Sequence, residues 1–168
     1  MVSLSFTGLL ATLVIVGILI ATIGIVYSFA FGNLIKTQVI SEMYLYASQI
    51  AEQIDSLISQ SIWKDVQVGQ DLPFVTLKKP VPGAAGKIEY EQWEIRYDQQ
   101  NNYIKLITAQ GERNVIPLQK QVKSVKFNVG AIGGTAQQRE AIEVVIQMES
   151  GSIKKTFRFL TTVSLSTT

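Results

Sequence analysis

The first 35 residues, Met1 to Ile35, carry no charged side chain, and no other feature limits the fold of this chain as strongly. Within them Leu9 to Phe31 reads LLATLVIVGILIATIGIVYSFAF. A run of 18 or more apolar residues without charge is long enough to cross a bilayer as a helix. Only four charges occur in the first 60 residues: Lys36, Glu42, Glu52 and Asp55. The remaining charges, out of 15 basic and 13 acidic side chains in 168 residues, lie beyond Gln60. The chain therefore reads as an oily rod joined to an ordinary soluble domain.

The rod changes character at Lys36. Val39, Met43, Ala47, Ile50, Ile54 and Leu57 recur at steps of three and four, and Ser61-Ile62 continues the series. Gln38, Glu42, Gln49, Glu52, Gln53, Asp55 and Gln60 fill the other faces. That is the spacing of an amphipathic helix with one face turned to a core. No proline occurs before Pro73, so nothing need break the backbone between the two halves. The pattern predicts one helix over about 1–63, apolar over 1–35 and amphipathic over 36–63. Such a helix is about 90 Å long at 1.5 Å per residue, far more than the ~30 Å of a hydrocarbon core. Gly17-xxx-Ala21, with Gly24 one heptad after Gly17, is a small-residue pattern that permits close helix contact. Glycine is also simply common in membrane-spanning helices.

Residues 64–168 have the texture of an antiparallel β domain. Val66 to Gly86 holds three of the four prolines and reads as a connection with a short edge strand near Phe74 to Leu77. Ile88-Glu89-Tyr90 and Trp93 to Tyr97 alternate, with a phase slip at Glu91-Gln92 that predicts a bulge. Turns are expected at Asp98 to Asn102 and at Gln110 to Arg113. Strands are expected at Tyr103 to Ala109, Asn114 to Leu118, Val122 to Val129, Ala141 to Met148 and Ile153 to Ser166, with a loop from Gly130 to Glu140. Five to seven strands result, as a sheet curled over the amphipathic helix or as a small sandwich.

Composition removes several chemistries. There is no His and no Cys, hence no imidazole base, thiolate nucleophile, disulfide or Cys/His metal site. A net charge of +2 is too mild to point to nucleic acid. Glu89 and Glu91 share a strand face and could form a carboxylate pair, with Glu94 and Asp98 nearby. A solvated strand face balanced by Lys87 and Arg96 is the simpler reading. Gly130 to Thr135 lacks the Lys-Ser/Thr of a phosphate loop. No enzyme activity, cofactor or metal is expected. No Asn-x-Ser/Thr sequon occurs, while the Ser/Thr-rich tail offers hydroxyls to O-linked sugars.

A charge-free N-terminal helix that continues into an amphipathic half and then a β meander resembles the type IV pilin superfamily, which includes bacterial pilins, pseudopilins, archaeal pilins and archaellins. The resemblance is architectural over the whole chain and closest over residues 1–62. It implies an α+β fold and a subunit of an extracellular helical filament serving adhesion or another surface interaction. The implied partners are copies of the same chain, the membrane before assembly, a prepilin peptidase and the pilus assembly machinery. A short basic leader would already have been removed, consistent with the absence of basic residues ahead of the apolar run. In such a filament Leu9, Leu13, Val16, Gly17, Ile20, Ala21, Gly24 and Val26 would pack in the core, and Val39, Met43, Ala47, Ile50, Ile54 and Leu57 would face the β domain. Bacterial pilins usually carry Glu near the mature start where this chain has Ser5, which favours the archaeal branch over bacterial minor pilins. The rival reading is a single-pass membrane protein with an outer β domain, of minor-pilin or archaellum-stator type.

Overall fold

The structure, a computed structural model, describes residues 6–63, 68–83, 87–132, 139–162 and 164–165. Among the described residues it is α+β: one helix, α1 (Phe6–Ile58), then ten strands in two sheets. The chain divides into two units, Met1–Ser41 and Glu42–Thr168. The described residues of the first are all helix, and none of them is buried. The second holds the back half of α1 and both sheets.

The helix ends five residues short of the expected Trp63. Ser59 N–H still donates to Asp55 O at 2.8 Å, but Ser61 N–H turns back to Ile58 O at 2.9 Å, tightening the last turn. The amide of Gln60 and the hydroxyl of Ser59 both donate to the Ser56 carbonyl, at 2.9 and 3.1 Å, so polar side chains take over where main-chain partners run out. Ile62–Trp63 then forms β1.

The larger sheet has the order β10-β1-β3-β4-β5-β6, with β2 (Gly69–Leu72) left to the other sheet. Its members are β3 (Phe74–Pro82), β4 (Ile88–Asp98), β5 (Tyr103–Thr108), β6 (Gly111–Pro117) and the short β10 (Ser164–Leu165). The smaller sheet runs β2-β7-β8-β9, with β7 (Val122–Ile132), β8 (Arg139–Ser150) and β9 (Ile153–Thr162). Pairing is antiparallel except where β10 lies parallel to β1.

Several expectations need correction. The proline-rich segment is not a mere connection: β3 spans nine residues and pairs with β4 from Phe74↔Arg96 to Pro82↔Ile88. Pro80 and Pro82 are tolerated because β1 meets β3 only at Lys78, so the proline end needs no second ladder. No bulge occurs at Glu91-Gln92, since that register is unshifted. The phase slip instead puts Ile88 and Tyr90 on the outer face, 67% and 41% exposed, while Trp93 and Ile95 point inward. The second hairpin turn is only Ala109-Gln110, and β6 begins at Gly111, whose φ of +123° suits a residue without Cβ. The expected single strand from Ile153 to Ser166 is two, because the chain leaves the smaller sheet after Thr162 and joins the larger one as β10. The expected Gly130 to Glu140 loop narrows, with β7 reaching Ile132 and β8 starting at Arg139; residues 133–138 lie outside those described, as does Val163.

The core of the second unit is where the inner faces meet. Val75, Leu77, Trp93, Ile95, Ile104, Leu106 and Ile116 come from the larger sheet, and Val125, Phe127, Val129, Ile142, Val144, Ile146 and Met148 from the smaller. Register explains the second set: Phe127 sits opposite Val144, and Val144 opposite Phe159. From the helix come Met43, Ala47, Ile50, Ala51, Ile54 and Ile58. Tyr44 joins this segment to β9, its ring 5.8 Å from Phe157 and 6.0 Å from Phe159. Tyr46 joins it to the chain beyond β6, taking a 2.9 Å hydrogen bond from the Gln119 N–H.

Candidate functional site

The residue type that dominates the front of α1 determines its surface. Leu9, Leu13, Val16, Ile20 and Val26, expected in a packed helix core, are all exposed, Leu13 at 69% and Ile20 at 66%. Gly17, Ala21 and Gly24 are exposed as well. A Cβ added at Gly17, Gly24 or Gly32 would meet nothing within 4 Å. The helix is long and apolar enough to cross a membrane by length and composition, and none of its most apolar window is buried. Between Phe6 and Ile35, eighteen large apolar side chains stand open.

Three threonine hydroxyls of this helix are folded back into it. Thr12 Oγ1 donates to Gly8 O at 2.6 Å, Thr22 Oγ1 to Ile18 O at 2.8 Å, and Thr37 Oγ1 to Asn33 O at 2.9 Å. Each hydroxyl is thus satisfied by the carbonyl four residues earlier and presents mainly its methyl group outward. In hydrocarbon, where an unpaired hydroxyl is costly, this arrangement lets threonine pass as an apolar residue. Sequence reading missed this, although threonine at an interior helix position is the signal for it.

The expected helix face divides by depth. Met43, Ala47, Ile50 and Ile54 are buried, whereas Val39 and Leu57 are half-buried. Ala51 and Ile58, which the three-and-four series passed over, are buried instead. The face is wider than the series because Ala47-Ala51 and Ile54-Ile58 add a second row at i+4.

The carboxylates considered above have separate surroundings. Glu89 is exposed and Glu91 half-buried, both towards the Pro82↔Ile88 end of the β3–β4 pair, where the chain turns from one strand to the other. Glu94 is paired with Arg96 at 2.6 Å. Asp98 is a turn-builder: it accepts from the N–H groups of Gln100 and Asn101 at 3.0 and 3.3 Å and from the Asn101 amide at 2.9 Å, and it pairs with Lys105 at 2.8 Å. The Lys105 and Asn101 hydrogen bonds hold its carboxyl well below the usual carboxylate range, and the same contact raises Lys105. Tyr97 is raised by burial and by the charge of Asp98.

A polar groove of about 380 Å³ on the outer face of the smaller sheet was not anticipated. There Glu143 accepts from Asn128 at 2.6 Å and from Arg158 at 3.2 Å. Asp71, at φ +53°, gives its N–H to Asn128 Oδ1 at 2.7 Å and meets Lys126 at 3.4 Å. These groups satisfy one another. Among the described residues no group of His, Cys, Asp and Glu could hold a metal ion.

No protein-family model matches this chain, and no curated protein or solved structure matches it.

Proposed function

We propose that this chain is the structural subunit of an extracellular helical filament on the type IV pilin plan, of the archaeal kind, held together by its apolar N-terminal helix. The observation that carries the reading is the open apolar surface of α1 from Phe6 to Ile35. Fully burying one large apolar side chain is worth ~1.5–3 kcal/mol. Eighteen of them amount to some tens of kcal/mol, several times the ~5–15 kcal/mol that holds a whole domain folded. A lone subunit in water forfeits all of it, so the stem needs a cover.

Two covers are available to a charge-free helix: lipid tails, and identical helices from neighbouring copies. The first makes the membrane a store of monomers, and the second makes a polymer. Head-to-tail contacts between such helices do not close into a ring unless the rotation happens to allow it, so they extend into a filament. The β unit, with its mixed charged surface, then meets solvent and whatever the filament touches. No residue in this reading performs covalent chemistry.

The alternative is a single-pass anchor that holds the β unit outside the membrane, of minor-pilin or stator type; the bilayer-length stem supports it equally. The discriminating experiment is removal of detergent from the purified full-length protein, followed by negative-stain electron microscopy. Filaments of uniform width are the expected result. A soluble, folded monomer overturns both readings, and amorphous aggregate together with filament-free cells leaves only the anchor.

A further inference from the structure

Four lysines gather at one end of the second unit. Tyr44, near the start of its helical segment, lies beside Phe157 and Phe159, while Ile62, just past the helix, pairs with Ser164. Strand β9 therefore runs in the same direction as the helix, and its first residues lie at the Glu42 end. Lys154 and Lys155 are those first residues, next to the Gly151-Ser152 turn. Lys123 is close to them, because its neighbour Ser124 pairs with Gln147 and Gln147 with Thr156. Lys120 follows Gln119, whose N–H is bonded to Tyr46 at the same end.

The lysines line two open grooves, about 290 and 350 Å³, that meet at Lys123. Lys154 has one carboxylate, Glu149, at 3.6 Å. Among the described residues no carboxylate stands within ion-pair distance of Lys120, Lys123 or Lys155. Hydrogen-bonding groups of Gln99, Asn102, Gln147 and Thr156 share the grooves. Ammonium groups beside neutral donors, with little competing acid, suit a phosphodiester.

Lys36 closes the charge-free run, and Glu42, six residues later in the sequence, opens the second unit. Resting on the reading of the stem as a bilayer-spanning helix, we infer that Lys120, Lys123, Lys154 and Lys155 form a docking surface for the anionic phospholipid headgroups of the membrane that stores the subunit. The patch holds the β unit against the membrane, and each subunit gives up those contacts on entering a filament.

The test uses the full chain, which has no cysteine and so accepts a single probe at Ser152→Cys. The labelled protein is reconstituted into vesicles of pure phosphatidylcholine or of phosphatidylcholine with phosphatidylglycerol, and energy transfer to a headgroup-attached acceptor is measured. Flotation with the vesicles reports stem insertion separately. Transfer should be higher with phosphatidylglycerol and fall back at 0.5 M NaCl. Each Lys→Gln change should lower the docked-to-undocked ratio about five-fold, the fourfold Lys→Gln variant should lose the lipid dependence, and the fourfold Lys→Arg variant should keep it. Flotation with identical transfer in both lipids, or an unchanged fourfold Lys→Gln variant, overturns the docking surface alone. Failure to float with either vesicle overturns it together with the membrane-spanning stem.

Discussion

The backbone N–H of Gln119 donates to the phenolic oxygen of Tyr46 at 2.9 Å, across 73 residues of sequence. The Tyr46 hydroxyl points in turn at Pro117 O, 3.5 Å away. A single side chain on the helix thus clamps the exit from β6, where Pro117 has no N–H of its own to offer and the chain turns towards β7. Tyr46→Phe keeps the ring and removes the clamp. A net hydrogen bond is worth about 1 kcal/mol. Urea unfolding of the full chain in detergent, followed by tryptophan fluorescence, should show a loss of about that size with an unchanged m-value.

The two halves of α1 should answer truncation in opposite ways. Ile54 is fully buried, and Ile54→Ala should cost the β unit ~2–5 kcal/mol through lost transfer energy and a residual cavity. Ile20 is 66% exposed and belongs to the first unit, so Ile20→Ala should leave the same unfolding transition within about 0.5 kcal/mol. Equal losses in the two variants would mean that the stem belongs to the folding unit.

Periodicity made the helix and most strands legible, because Val39 to Leu57 keeps the helical step and Val125-Phe127-Val129 keeps the strand step. It failed where a tertiary partner decided the outcome. Ile88 and Tyr90 look like core residues out of phase, yet β4 keeps its register with β3 and simply exposes them. Pro80 and Pro82 look like strand breakers until the pairing shows that β1 does not extend to them. The move of the chain from β9 to β10 leaves no local signature, since Thr161 to Leu165 alternates like one strand. As for the stem, its exposure was legible from charge alone, and interior threonine is the residue signal for hydroxyls bonded back to the helix, while the rotamer that makes each bond is seen only in the structure.

Acid should weaken the β4–β5 hairpin. The Asp98 carboxyl is depressed by its hydrogen bonds to Lys105 and Asn101. A depressed carboxyl contributes stability that is present above its unfolded value, about 3.9, and is lost as pH falls through the lower folded value. Lys105 is raised by Asp98, so its share is present below about 10.4 and is lost as pH rises through the higher folded value. The pair therefore supports the hairpin across the whole neutral range. Asp98→Asn should lower stability at pH 7, and the difference from the parent should shrink as pH drops below about 4. Thermal melts at pH 2, 3, 4 and 7 test this; a gap that stays constant to pH 2 would contradict the assignment.

The sharpest consequences concern the stem. Ile20 lies near the middle of the charge-free run, and a Lys there costs ~2.5–3.5 kcal/mol at a bilayer centre. In a bundle of like helices it costs more, since every copy buries the same unpaired ammonium. Ile20→Lys should therefore reduce membrane integration and abolish filaments, while the folded β unit melts as before. Thr22→Val is the matched opposite. Its hydroxyl is already bonded to Ile18 O at 2.8 Å, so replacing it with a methyl group exposes no new polar group and removes none that lipid or a neighbour needed. Carbonate extraction of membranes, scored beside electron microscopy of sheared cell-surface material, separates the two. Filaments from Ile20→Lys, or their loss in Thr22→Val, would show that the stem is not buried among apolar neighbours.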